Sequence, residues 1–164
     1  MDVSLSNDDI SEYLGNKVNI LRYDQLNDYS NIDDVLDPYG RAVILYFWKA
    51  KPCVGHWTCV FKTPRNTIEF FNSYGTVPDK TLNDIPLAFK KSHGEDFKTL
   101  TKLLYDSGYE IEYNDKCLQQ NDSSVCGRYC ILRLCCEDIP IEQFQKLFTK
   151  NKKRNDELVL QLIN

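Results

Sequence analysis

Cys126 has the most distinctive setting of the seven cysteines in this 164-residue sequence. It stands in "LQQNDSSVCGRYC" (118–130), where a short polar loop turns into "VCGRYCILRLCC". That run is apolar nearly all the way round, so it reads as a buried helix starting at Val125 or Cys126. In the first turn of such a helix, unpaired N–H groups and the positive end of the dipole favour thiolate over thiol, lowering a free pKa of about 8.5. Cys130, Cys135 and Cys136 lie deeper in the run and read as small buried hydrophobes, while Cys53, Cys59 and Cys117 have no comparable electrostatic setting.

A thiol nucleophile needs a base, a group to orient that base, and donors for the oxyanion its attack creates. Only two histidines exist, and His93, in "KKSHGED", reads as a solvated surface residue. His56, in "VGHWTCV", stands where a strand begins and is the candidate base, the alternative being a structural histidine at a strand edge. Asn72 ends "IEFFN", whose antiparallel pairing with the strand led by His56 would bring its amide to the far imidazole nitrogen. It also opens "NSYG", good turn chemistry, which is its alternative use. Gln120 precedes Cys126 by six positions, across a loop long enough to fold its amide beside the sulfur. There it and the Cys126 N–H could cradle an oxyanion; Gln119 is the second choice.

The elements that must position these residues follow from pattern. Ser6, with Asp9 three residues on, caps a first helix carrying Ile10, Tyr13 and Leu14 and stopping at Gly15. "AVILYFW" (42–48) reads as a strand buried on both faces, and "HWTCVFK" and "TIEFFN" flank Pro64-Arg65-Asn66 as a hairpin. "DFKTLTKLLYDSG" puts Phe97, Leu100, Leu103 and Leu104 on one helical face and closes at Gly108, before the half-buried strand "YEIEY" (109–113). Pro140 suits the first position of a helix carrying Ile141, Phe144 and Phe148, and "DELVLQLI" makes a last helix. Segment 76–94 leaves its helical content open. Strands gathered between helices predict an α+β sheet covered by helices, and no linker or repeat divides residues 1–164, so one domain is expected.

A formal charge of -4 argues against a dedicated nucleic-acid binder, since phosphate neutralisation needs a concentrated excess of Lys and Arg. "KNKKR" (150–154) is read as a solvated loop between the last two helices rather than a DNA site, and no strict DNA requirement is expected. The longest apolar run, Ala42 to Trp48, is far below a membrane span, and the first residues lack a secretory pattern. An odd number of cysteines, several inside apolar segments, fits reduced thiols better than a disulfide framework. Zinc is disfavoured, because no Cys-x-x-Cys pair occurs and neither histidine lies near the clustered cysteines. No cofactor is expected.

Taken in order, His56, Asn72, Gln120 and Cys126 resemble the clan of cysteine endopeptidases that contains adenain and the SUMO-specific proteases. "GHW" looks like its histidine motif, "FFNSYG" like the motif supplying the third triad member, and "LQQNDSSVCGRYC" like its Gln, five-residue spacer, Cys-Gly pattern. Asn72 lies 16 positions after His56 and Cys126 lies 70 after it, both in the family's range, and the likeness spans roughly residues 42 to 136. The resemblance implies an adenain-like, papain-type cysteine protease fold: a central mixed sheet flanked by helices, with Cys126 at the start of a buried one. It implies that His56 deprotonates Cys126, that Asn72 orients His56 and that Gln120 meets the oxyanion. Trp57, with Gly55 beside it, would line a narrow tunnel admitting small residues such as Gly-Gly; the alternative for Trp57 is a core aromatic. "CGRY" is similar to proteases of large DNA viruses and virophages, which implies a monomer processing capsid or scaffold precursors in host cytoplasm or virion. A SUMO or ubiquitin protease is the second expectation, and an inactive protease-like binding module the third. The sequence departs from the family at Asn72, where most members have Asp or Glu. An amide can fix the imidazole tautomer but supplies no full negative charge, so a thiolate would lean more on the helix dipole.

Overall fold

The computed structural model describes residues 4–49, 54–80, 87–92 and 98–164. Cys53, His93, Phe97 and much of segment 76–94 lie outside the described residues. Ser6 caps α1 (Asn7–Leu14) reciprocally: its hydroxyl accepts the Asp9 N–H while the Asp9 carboxylate accepts the Ser6 N–H. Gly15, at φ +90°, ends the helix in a backbone region that side-chain-bearing residues avoid.

Five strands form one sheet in chain order: β1 (Asn19–Arg22), β2 (Arg41–Lys49), β3 (Val54–Lys62), β4 (Ile68–Phe71) and β5 (Ile111–Tyr113). The inner pairs are antiparallel and the two outer pairs parallel, so the sheet is mixed, as expected. Strand β1 was not foreseen, because four residues are too few to show alternation; its place is set by pairing with the outer edge of β2. A 3-10 helix (Tyr23–Asp28) and the single turn α2 (Ile32–Val35), capped by the Asn31 side chain, link β1 to β2. Two further helices, α3 (Leu87–Ser92) and α4 (Thr99–Asp106), precede β5.

Alternation along the strands sends side chains to two cores. Val43, Trp57, Cys59, Phe61 and Phe71 pack with α5 (Cys126–Cys135), α6 (Ile141–Gln145) and α7 (Lys152–Leu162). Ala42, Ile44, Tyr46, Val60, Ile68 and Phe70 pack with the 3-10 helix, α2 and α4. Each fully buried Leu- or Phe-sized side chain contributes about 1.5–3 kcal/mol, which is what seats α5 across β3.

Helix α5 is buried from Cys126 through Leu134, as its all-round apolarity predicts, yet it carries a fully buried Arg133. That guanidinium forks onto both oxygens of the equally buried Glu69 at 2.7 and 2.9 Å and donates to the Cys136 and Ile139 carbonyls. It also lies over the Phe61 and Phe144 rings. A cation with four of its five N–H donors used can be tolerated there, and it satisfies carbonyls at the helix's negative end.

Several boundaries differ from expectation: β5 begins at Ile111 rather than Tyr109, and α6 ends at Gln145, short of Phe148. Pro140 is the N-cap rather than the first helical residue of α6, because its ψ of 148° is extended. "KNKKR" is not wholly a loop: Lys152, Lys153 and Arg154 form the first turn of α7, since the Asn151 side chain accepts the Arg154 N–H and starts the helix there.

Candidate active site

His56 is the third residue of β3, paired across the sheet with Tyr46 of β2. Strand β4 stops at Phe71, and the chain turns tightly at "NSYG", the Gly75 N–H donating to the Asn72 carbonyl at 2.7 Å. Asn72 Oδ1 accepts the Tyr74 N–H at 3.0 Å, an Asx-turn, while its Nδ2 donates to Thr76 Oγ1 at 2.7 Å. These two bonds fix which end of the amide faces the ring. Oδ1 lies 2.8 Å from His56 Nε2, so Nε2 carries the proton and donates, leaving the lone pair on Nδ1. The turn role and the orienting geometry foreseen for Asn72 therefore coexist in one side chain. Asn114, just past β5, clamps the same backbone by accepting the Asn72 N–H at 3.0 Å and donating to its carbonyl at 2.5 Å.

The imidazole is 1% exposed and stacks on the Tyr74 ring, with centroids 5.0 Å apart. Burial pushes its pKa down to about 4, opposed by the hydrogen bond to Asn72, so His56 is neutral at neutral pH. Cys126 begins α5, behind an N-cap Val125 that makes no side-chain capping bond. Its Sγ accepts the backbone N–H of Trp57, the residue after His56, at 3.4 Å. That bond holds the sulfur against β3. Burial raises the Tyr74 phenol, and the nearby Cys126 adds to it. Cys130, in contrast, is wholly buried and its thiol is held well above its ordinary pKa, first by burial and then by Cys59. The six described cysteines are free.

The two glutamines have different surroundings. Gln119 is fully buried: it accepts from Ser73 Oγ at 2.5 Å and donates to the Ser123 carbonyl and hydroxyl at 2.9 and 3.0 Å. Gln120 is exposed, with its backbone N–H held by Asp156. The fallback residue is thus committed to holding the loop, and Gln120 beside it is exposed.

Trp57 is 5% exposed, its indole N–H donating to the Leu5 carbonyl at 3.1 Å. A methyl group on Gly127 would come within 3.1 Å of this indole and 3.3 Å of Leu5, so the glycine after Cys126 lets the helix start approach β3 closely. Gly55 is explained by packing too: a methyl group there would meet Leu45 at 2.4 Å. Sequence reasoning missed Tyr74, Asn114 and Asp156, whose partners lie far away in the chain; the only local signal was polar residues next to apolar runs.

Among the described residues, no helix is long and apolar enough to cross a membrane, and no cluster of three or more His, Cys, Asp or Glu side chains could hold a metal.

A mixed sheet flanked by helices, with a cysteine opening the buried one beside a histidine on the neighbouring strand, defines the adenain-like, papain-type cysteine protease fold. The ASFV pS273R protease superposes with a TM-score of 0.52 at 14% identity, covering 97% of this chain and 67% of that one. ChlaDub1 from Chlamydia trachomatis is similar with a TM-score of 0.44 at 14% identity, over 76% of this chain and 59% of that one. No protein-family model matches the sequence. In sequence the chain is 44% identical over 146 residues to uncharacterized protein V9 of Sputnik virophage, covering 88% of this chain and 82% of that protein. The chain belongs to the V9 family of virophage proteins.

Proposed function

We propose that the chain is a cysteine endopeptidase in which Cys126 is the nucleophile, His56 the base, Asn72 the orienting residue and Gln120 an oxyanion donor. The observation that supports this reading is the Trp57 N–H bond to Cys126 Sγ, one residue along β3 from the imidazole that meets Asn72. Nδ1 of His56 takes the thiol proton as Sγ bonds to the peptide carbonyl carbon, and the carbonyl oxygen becomes an oxyanion held by Gln120 and the Cys126 N–H. The intermediate then collapses: the C–N bond breaks, the amine leaves with the proton from His56, and an acyl-thioester remains. Water, deprotonated by the same imidazole, hydrolyses it. A neutral resting imidazole suits this role, and the thiolate forming beside it stabilises the imidazolium that Asn72 cannot.

The substrate is a protein cut after small residues of the Gly-Gly type, and relationship to a virophage protein supports a capsid or scaffold precursor over a host modifier conjugate. The enzyme acts as a single domain without cofactor or strict DNA requirement. The test is hydrolysis of a fluorogenic peptide ending in Gly-Gly, run beside SUMO and ubiquitin fusions and the virophage's own structural proteins. Cleavage of the structural proteins, abolished in Cys126→Ala and His56→Ala, is expected. Unchanged hydrolysis in either variant would overturn the assignment of roles, and absence of any cleavage by the wild type would leave a binding module.

A further inference from the structure

The segment from Leu118 to Gln120 belongs to no helix or strand, yet nearly every backbone group in it is tied down. The Leu118 and Gln119 N–H groups donate to the Ser73 carbonyl at 2.8 and 3.2 Å. The Leu118 carbonyl accepts from Asn155 Nδ2 at 3.1 Å, with Tyr129 Oη 3.3 Å away. Next comes Gln120, whose N–H meets both carboxylate oxygens of Asp156 at 3.4 Å, and Tyr129 Oη also donates to Asp156 Oδ1 at 2.8 Å. Asp156 is 7% exposed, on the inner face of α7. A buried carboxylate is costly unless its oxygens are used, and α7 needs no charge there for packing, since Val159 one turn on supplies that face with an apolar side chain. What the carboxylate does hold is the backbone of the residue six positions ahead of Cys126. Residues 121–125, with a left-handed Asp122 and no regular structure, hold only its other side: the Gln120 carbonyl accepts the Ser123 N–H at 3.3 Å and Oγ at 3.0 Å, while the N–H is left to Asp156.

We propose that Asp156 is a positioning residue for the oxyanion donor, fixing the Gln120 backbone from α7, with Tyr129 as brace, so that the Gln120 amide can reach the oxyanion. This rests on the protease reading above. Oxyanion donors act only within about 2.7–3.1 Å of the developing charge, and loss of one costs about 10²- to 10³-fold in kcat, so loosening the segment that carries one costs part of that.

The experiment compares wild type, Asp156→Ala and Asp156→Asn in two reactions of the same thiol. One is hydrolysis of the Gly-Gly peptide. The other is alkylation by iodoacetamide, in which Sγ bonds to the methylene carbon, iodide leaves and the thiol proton passes to His56, so no oxyanion forms. Asp156→Ala is expected to lower kcat about 10- to 100-fold with KM within about threefold, while the alkylation rate stays within about twofold. Asp156→Asn is expected to restore kcat to within about threefold, because one carbonyl oxygen can receive both the Tyr129 and Gln120 donors. Wild-type kcat in Asp156→Ala overturns the proposal, as does alkylation falling in parallel with hydrolysis. An asparagine variant as impaired as alanine also overturns it, since charge rather than position would then matter. A wild type that alkylates but hydrolyses no peptide overturns the protease reading and this proposal with it, whereas an active wild type with an unaffected alanine variant sinks this proposal alone.

Discussion

His56 makes the protein acid-sensitive in a way that one substitution isolates. The buried ring has its pKa pushed from 6.5 down to about 4 by burial, with the Asn72 bond opposing. Unfolding returns the ring to water, so between these two values the unfolded chain binds more protons than the folded one. The sign follows: His56 is without effect above about pH 6.5, and stability falls as pH drops toward 4. At pH 7.5 both states hold the ring neutral. At pH 5.0 the unfolded ring is almost wholly protonated while the folded ring remains mostly neutral, a gap of about 1.5 units, or about 2 kcal/mol. Urea unfolding followed by tryptophan fluorescence, at pH 7.5 and 5.0, measures this for wild type and for His56→Gln. The drop in unfolding free energy between the two pH values is expected to be about 2 kcal/mol larger in wild type. All other groups are shared by the two proteins and cancel in the comparison. Equal drops would refute the buried neutral ring, and a larger drop in the variant would mean that the folded state holds an imidazolium.

Three further outcomes follow from the same structure. Arg133→Met leaves Glu69 buried without its cation and is expected to cost about 3–5 kcal/mol in urea unfolding, whereas Arg133→Met with Glu69→Gln recovers part of that loss. Asn72→Asp puts a negative charge about 4 Å from the centre of the His56 ring, an interaction of about 4 kcal/mol at an effective dielectric of 20, so NMR titration should find the imidazole pKa raised by about 2–3 units; no rise would contradict the His56–Asn72 contact. Gly75→Ala adds a methyl group 2.6 Å from the Lys116 backbone at a residue with φ +75°, and a loss of about 2 kcal/mol or more is expected by thermal or urea unfolding.

The contact of His56 with Asn72, and of Cys126 with the strand that carries His56, was legible because each residue sits at a boundary that local sequence marks: a strand start, a strand end with turn chemistry, and a polar loop running into an apolar helix. The sheet's antiparallel centre was legible for the same reason, since its strands are long or joined by a short turn. What could not be read depends on partners far apart in the chain. Gln119 and Gln120 are identical letters side by side, and partners as distant as Ser73, 46 positions before Gln119, and Asp156, 36 after Gln120, separate their surroundings. Arg133 looked like a polar interruption of an apolar run until Glu69, 64 positions away, supplied its counter-charge. The start of α7 was readable from Asn151 as a cap, but the run of basic residues after it read as a loop.

The sheet's chain order also sets a sequence of assembly during synthesis. Strands β2, β3 and β4 are neighbours in both chain and space, so the imidazole and its amide partner can come together while the ribosome is still making the second half. The sulfur is translated 54 residues after Asn72, and the helix that braces the glutamine loop later still. A nascent chain therefore carries the His56–Asn72 pair before it carries Cys126, and a braced loop only when α7 has emerged. On the proposed protease reading, this delay keeps the unfinished polypeptide harmless to itself and to its neighbours.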